Sequence, residues 1–264
     1  MKKINEGTVY LVGAGPGDPE LLTVKAMRLL EKCDALVYDA LIPEEFLKFI
    51  PLSCKCCFVG KRCGQPSVTQ AKINKLLVEL AKDFSCVVRL KGGDPFLFGR
   101  GSEEAEWLVS HNICVEVVPG ITSGMAAPAY FGIPVTHRQT ASSVTFVTGH
   151  ERHDKDKQSV KWRKLAKGTD GLVIYMAMKN LDFIVHELIQ GGLAANTPAV
   201  IINQGTLIGQ QYIKTSMENL VLYRQIVGSQ SPSIVLIGNV INHQIEQCNP
   251  MISRFCSKNN TQNI

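Results

Sequence analysis

Twice in the first part of this chain a β-branched strand runs into a glycine turn and an Asp-Pro corner. The first instance is Val12-Gly13-Ala14-Gly15-Pro16-Gly17-Asp18-Pro19 and the second is Val87-Val88-Arg89-Leu90-Lys91-Gly92-Gly93-Asp94-Pro95. Glycine at the carboxyl end of a strand lets the backbone approach a small molecule without interference from a Cβ. Two such corners on one sheet predict a composite ligand site. The alternation around them constrains the fold further. Residues 8–12, 35–38, 56–59, 86–90 and 115–118 read as strands. Between them lie a helix start at Asp18-Pro19-Glu20, a short helix over 43–50, a capping box at Ser67-Val68-Thr69-Gln70 and a helix over 103–111. Repeated strand-helix units require a mainly parallel sheet with helices on both faces.

From Gly120 the sequence turns small and apolar, then passes through Gly132-Ile133-Pro134-Val135-Thr136-His137-Arg138, where a domain joint is expected. Residues 1–136 form an N-terminal α/β domain carrying the glycine loops, and 137–243 a C-terminal α/β domain. The Asn- and Ser-rich stretch 244–264 reads as a flexible tail. Strands are expected at 144–147, 172–176, 199–203, 208–214 and 233–237. The close spacing of 199–214 predicts a hairpin and therefore a mixed second sheet.

Composition narrows the function classes. A chain of 264 residues with 45% hydrophobic content and a formal charge of +5 is globular, and its cations form no contiguous basic stripe of the kind that nucleic-acid binding requires. No apolar run is long enough to span a bilayer. The opening Met1-Lys2-Lys3-Ile4-Asn5-Glu6 lacks the apolar core of a secretory signal, so a cytoplasmic protein is expected. Nine cysteines, an odd number, fit reduced thiols. Cys54, Cys56, Cys57 and Cys63 lack paired Cys-x-x-Cys knuckles, and Cys56-Cys57-Phe58-Val59 reads as a buried strand, so no metal is expected.

In an open α/β sheet the residues just after each strand face the ligand. Here they are Gly13 to Gly17, Asp39, Gly60-Lys61-Arg62, Gly92-Gly93-Asp94 and Pro119-Gly120-Ile121-Thr122. Asp39 is a turn residue or a catalytic carboxylate; position alone leaves both readings open. Lys61 and Arg62 are surface cations or partners for an anionic substrate. Gly13 and Gly15 satisfy two positions of a dinucleotide fingerprint, but Asp18 occupies the third and Pro16 removes a backbone donor. The loop therefore suits a ligand without pyrophosphate, such as S-adenosylmethionine (SAM), better than NAD.

Taken with Tyr38-Asp39, Val59-Gly60-Lys61-Arg62, Arg89 to Phe96, Val118 to Ser123 and Gly132 to Arg138, the first loop resembles the tetrapyrrole (corrin/porphyrin) methyltransferases. The likeness is closest to the SAM-dependent uroporphyrinogen-III C-methyltransferases and runs from about Gly7 to Val240. The resemblance implies two α/β domains with the cofactor cleft between them. It implies SAM contacts at Pro16, Gly92, Gly93, Asp94, Leu97, Thr122, Ser123, Met176 and Gly205, with Asp39 as base and Lys61 as proton donor. Arg62, Arg100 and Arg138 are then expected to meet the substrate's carboxylates. It further implies two methyl transfers from SAM to rings A and B of uroporphyrinogen III, giving precorrin-2 for sirohaem or cobalamin, without a metal and in a homodimer. Because these motifs start in the first strand, a separate dehydrogenase and ferrochelatase are expected downstream if sirohaem is the product. Ala40, Ser123 and Gln65-Pro66-Ser67 depart from the family pattern. The competing readings are a related methylase acting on a later corrinoid or in diphthamide synthesis (diphthine synthase), an NAD-dependent oxidoreductase, and a nucleic-acid-binding module.

Overall fold

A computed structural model of the chain describes residues 7–60, 68–150, 160–227 and 232–245, and divides into two compact units, Met1–Thr122 and Ser123–Ile264. In the first, β1 (Thr8–Gly13), α1 (Val24–Leu30), β2 (Ala35–Tyr38), β3 (Lys55–Phe58), α2 (Gln70–Asp83), β4 (Cys86–Lys91), α3 (Gly101–Ser110) and β5 (Cys114–Val118) follow in order. The strands form one sheet in the order β3-β2-β4-β1-β5, every pair parallel. The chain leaves β1 across β4 to reach β2, and leaves β4 across β1 to reach β5. The topological switch point therefore lies between β1 and β4, the two strands that carry the glycine corners.

Alternation along the strands builds two cores. Val9, Leu11, Val37 and Val87 pack with Leu77 of α2 and Leu108 of α3 on one face. Val12, Leu36, Val88 and Leu90 pack with Ala26, Leu30 and Phe46 on the other. Both faces are thus covered, which an all-parallel sheet requires.

Three local expectations need correction. Asp18-Pro19-Glu20 starts only a 3-10 turn, Pro19–Leu21, because Leu22 is extended; α1 begins at Val24, with Thr23 Oγ1 accepting the Ala26 N–H at 3.1 Å. The cap of α2 is Thr69, whose hydroxyl accepts from the Lys72 N–H, and Gln70 turns elsewhere; Ser67 lies outside the described residues. β3 is the sheet edge, so Cys56 is exposed and Cys57 half-buried, not core.

The second unit contains α4 (Ser123–Tyr130), β6 (Val144–Thr148), α5 (Trp162–Gly168), β7 (Gly171–Tyr175), α6 (Leu181–Gln190), β8 (Pro198–Asn203), β9 (Gln211–Ser216), α7 (Leu220–Val227) and β10 (Ser233–Gly238). Its sheet runs β6-β7-β10-β8-β9, with β6 and β7 parallel and the remaining neighbours antiparallel. β8 and β9 are the expected hairpin. β6, β7 and β8 share one direction, so their carboxyl ends lie along one edge.

The division after Thr122 falls at the start of the stretch where the joint was expected, not at 136. The Gly124 N–H donates to the Tyr175 hydroxyl at 3.0 Å, which ties α4 to β7. The first residues of the expected tail also belong here, since the Ile245 N–H donates to the Gly132 carbonyl at 2.9 Å. Residues 246–264 lie outside the described residues. No described helix is long and apolar enough to cross a membrane.

Candidate functional site

At the switch point the loops after β1, β4 and β5 meet backbone to backbone. The Ala14 N–H donates to the Lys91 carbonyl at 2.8 Å, the Gly15 N–H to the Gly93 carbonyl at 3.2 Å, and the Gly93 N–H back to the Gly15 carbonyl at 2.6 Å. A Cβ on Gly13 would stand 2.6 Å from the Gly120 Cα, so only glycine permits this approach. Asp94 fastens the assembly: its Oδ1 accepts the Phe96 N–H at 2.9 Å and its Oδ2 the Gly120 N–H at 3.1 Å. Thr122 follows two residues after Gly120. Asp18 is a cap, accepting the Glu20 N–H at 2.8 Å.

This arrangement decides the ligand class. A dinucleotide loop offers successive backbone N–H groups to pyrophosphate. Here the N–H groups of Ala14 and Gly15 are committed to carbonyls, and Pro16 has none. What the rim offers instead is half-buried Gly92, Gly93, Asp94 and Leu97, together with Pro16. Short backbone, apolar surface and a carboxylate fit a nucleoside with a cationic sulfonium.

Beside this rim, Asp39 follows β2 in a network that the sequence reading did not assign. Its Oδ2 accepts from Arg89 Nη2 at 3.1 Å and its Oδ1 from the Leu41 N–H at 3.1 Å. Arg89 Nε reaches Glu104 Oε1 at 3.4 Å, Lys91 Nζ bonds both Glu104 oxygens at 3.1 Å, and Gln70 Nε2 bonds Oε1 at 2.9 Å. Arg89, Lys91 and Glu104 are all buried, a balanced set when Asp39 is counted. Burial, aided by the Arg89 charge, pulls the Lys91 pKa below its ordinary value, while Glu104 pulls it up. A signal for this was present: Val87, Arg89 and Lys91 share one face of a fully covered strand, and cations there require carboxylates from the covering helix.

Arg100 is exposed at φ +60° ahead of α3, its Nη2 held by Glu103 Oε2 at 2.6 Å. Arg138 is exposed. Lys61 and Arg62 lie outside the described residues. In the second unit, Ser123 starts α4, Met176 follows β7 and Gly205 follows β8. They are brought together, because Gly124 abuts Tyr175 and a Cβ on Gly205 would overlap the Ala127 Cβ. Met176, Gln204 and Thr206 all hold positive φ, at 54°, 48° and 70°. Such conformations are costly in non-glycine residues and concentrate at ligand sites.

The cysteines gather elsewhere. Cys33 and Cys54 place their Sγ atoms 3.5 Å apart as thiols. Burial pushes the thiols of Cys33, Cys54 and Cys86 up, the last to about 11, and so disfavours the thiolates that a metal would need. Among the described residues, no three His, Cys, Asp or Glu side chains are grouped to hold a metal ion. Cys63 lies outside them.

Residues 8–221 match the family model for Tetrapyrrole (Corrin/Porphyrin) Methylases. The uroporphyrinogen-III C-methyltransferase of Synechocystis sp. is 48% identical over 237 residues, covering 90% of each chain. The S-adenosyl-L-methionine-dependent uroporphyrinogen III methyltransferase of Methanosarcina barkeri is 47% identical over 90% of this chain and 93% of its own. Among solved structures, the uroporphyrin-III C-methyl transferase of Thermus thermophilus complexed with S-adenosylhomocysteine matches with a TM-score of 0.77 and 36% identity, over 89% of this chain and 99% of that one. With the family model matched over residues 8–221 and relatives 47–48% identical over 90% of its length, the chain belongs to the tetrapyrrole (corrin/porphyrin) methylase family.

Proposed function

We propose that this chain transfers two methyl groups from SAM to rings A and B of uroporphyrinogen III, giving precorrin-2 and S-adenosylhomocysteine, for sirohaem or cobalamin synthesis. The observation that carries the cofactor half is the locked switch-point loop, whose backbone donors at residues 14 to 16 are spent or missing. The substrate half rests on the likeness to relatives named for uroporphyrinogen III.

SAM supplies a methyl group already activated by its sulfonium, which a nucleophilic pyrrole carbon can attack in line without a metal. Pro16, Gly92, Gly93, Asp94, Leu97, Thr122, Ser123, Met176 and Gly205 are the residues assigned to hold it. Asp39 presents a carboxylate to the positive charge that develops on the macrocycle and accepts the released proton. Lys61 returns a proton or pairs with a substrate carboxylate. Arg62, Arg100 and Arg138 bind further carboxylates, and Arg100 is readily exchanged because its exposed pair with Glu103 is worth only about 0–1 kcal/mol. The same reading makes the protein a cytoplasmic homodimer; the free cysteines among the described residues suit a reducing compartment.

Titration calorimetry tests the cofactor assignment. S-adenosylhomocysteine is expected to bind and NAD is not; tighter binding of NAD than of S-adenosylhomocysteine overturns it.

A further inference from the structure

Of the four charged residues of this network, Asp39 alone is substantially exposed to solvent: its side chain is 26% exposed, against 4% for Arg89, 6% for Lys91 and 0% for Glu104. The other three have no access to a substrate, yet they are ionic and buried, which is an expensive way to fill a core. Their geometry has a direction. Arg89 uses each guanidinium nitrogen once, Nη1 on the Leu90 carbonyl at 3.1 Å, Nε on Glu104 at 3.4 Å and Nη2 on Asp39 at 3.1 Å. Two anchors inside the protein therefore fix the plane of the fork, and the remaining arm sets the carboxylate of Asp39. A guanidinium can do this because its donors are coplanar and it stays protonated. Lys91 and Gln70 in turn hold Glu104 from β4 and α2, so the orientation of Asp39 is referred back to two helices and the central strand.

We propose that Arg89, braced by Glu104, is a positioning residue for methyl transfer that fixes the carboxylate of Asp39 toward the reacting macrocycle. The inference rests on the reading of Asp39 as the catalytic carboxylate. It goes further by naming what aims that carboxylate, and it predicts that Arg89 matters to the rate only through Asp39.

The test is a double-mutant cycle on the full chain, with S-adenosylhomocysteine affinity and melting temperature as checks on the fold. Arg89→Met leaves Glu104 bonded to Lys91 and Gln70, so the protein folds and the cofactor binds. Arg89→Lys keeps the charge but cannot span Glu104 and Asp39 together. Asp39→Asn is expected to lower kcat by roughly 100- to 10,000-fold. Arg89→Met and Arg89→Lys should each lower kcat by about 10- to 100-fold with the KM for SAM unchanged, the scale of a displaced catalytic group. In the Asp39→Asn background, either Arg89 change should cost less than about threefold. If Asp39→Asn is slow but the Arg89 penalty multiplies in full, or if either Arg89 variant turns over at the wild-type rate, Arg89 does not act through Asp39 and the inference falls alone. If Asp39→Asn itself turns over at the wild-type rate, the catalytic reading of Asp39 falls and takes the inference with it.

Discussion

Glu104→Gln is the most exacting perturbation of the buried network, because it keeps the volume and removes the charge. The wild-type carboxylate is wholly buried and accepts from Arg89, Lys91 and Gln70. After the substitution Arg89 retains Asp39, whereas Lys91 keeps no carboxylate. Breaking a buried pair from one side costs about 3–5 kcal/mol. Lys91 limits the loss by shedding its proton, which burial already disfavours, so the lower end, about 3 kcal/mol, is expected. At about 2–4 °C per kcal/mol for chains of this size, the melting temperature should fall by about 6–12 °C. The pH dependence has a definite sign. Glu104 raises the Lys91 pKa, so its removal lowers that value further below the ordinary 10.5. The unfolded chain then holds the lysine proton to higher pH than the folded one, and stability rises with pH between the two values. Urea unfolding at a series of pH values should therefore show a deficit that shrinks as the pH climbs from neutrality toward 10.5. Adding Lys91→Met in a Glu104→Leu background, which replaces the pair with apolar groups, should recover most of the loss. A deficit below about 1 kcal/mol, the ordinary cost of a point substitution, or one that grows with pH, would refute the compensation of buried cations by Glu104.

Two further outcomes follow from the loops. Gly120→Ala places a Cβ in overlap with the Gly93 carbonyl and 2.7 Å from the Gly13 Cα, all of it backbone, and should cost about 2 kcal/mol or more in unfolding experiments. At Gly92 a Cβ meets only the exposed side chain of Leu41 at 3.1 Å, so Gly92→Val should melt near the wild-type temperature while losing S-adenosylhomocysteine binding in calorimetry. In the second unit, the Ser143 hydroxyl and the N–H groups of Ser143 and Ser142 hold Asp170 below its ordinary 3.8. The advantage of wild type over Asp170→Asn should be full above that value and vanish as the pH falls through the lowered one, read by acid unfolding of both proteins.

What the sequence made legible was local. Strand ends and glycine corners announce themselves within a few residues, and Asp39 and the Gly92-Gly93-Asp94 turn stand where the pattern of the chain puts them. Partnerships were harder to read. Asp39 and Arg89 are fifty positions apart, and nothing near either residue names the other. The period-two placement of Arg89 and Lys91 was nevertheless a readable warning of buried charge. Asp94 reads from the sequence as a ligand acid, but that its two oxygens also accept the Phe96 and Gly120 N–H groups depends on how the loops after β4 and β5 converge. Cys56 looked like core because its strand is apolar; sheet order, which no window of sequence contains, put that strand at the edge. The displaced start of α1 is a smaller case of the same kind, in which Asp18 caps a single turn and Thr23 caps the helix.

The central claim is most directly tested by incubating the purified chain with methyl-labelled SAM and uroporphyrinogen III and weighing the tetrapyrrole by mass spectrometry. The expected macrocycle carries two labelled methyl groups, with S-adenosylhomocysteine released in step. A macrocycle that stays unlabelled while the same preparation binds S-adenosylhomocysteine would contradict the assignment of uroporphyrinogen III as substrate.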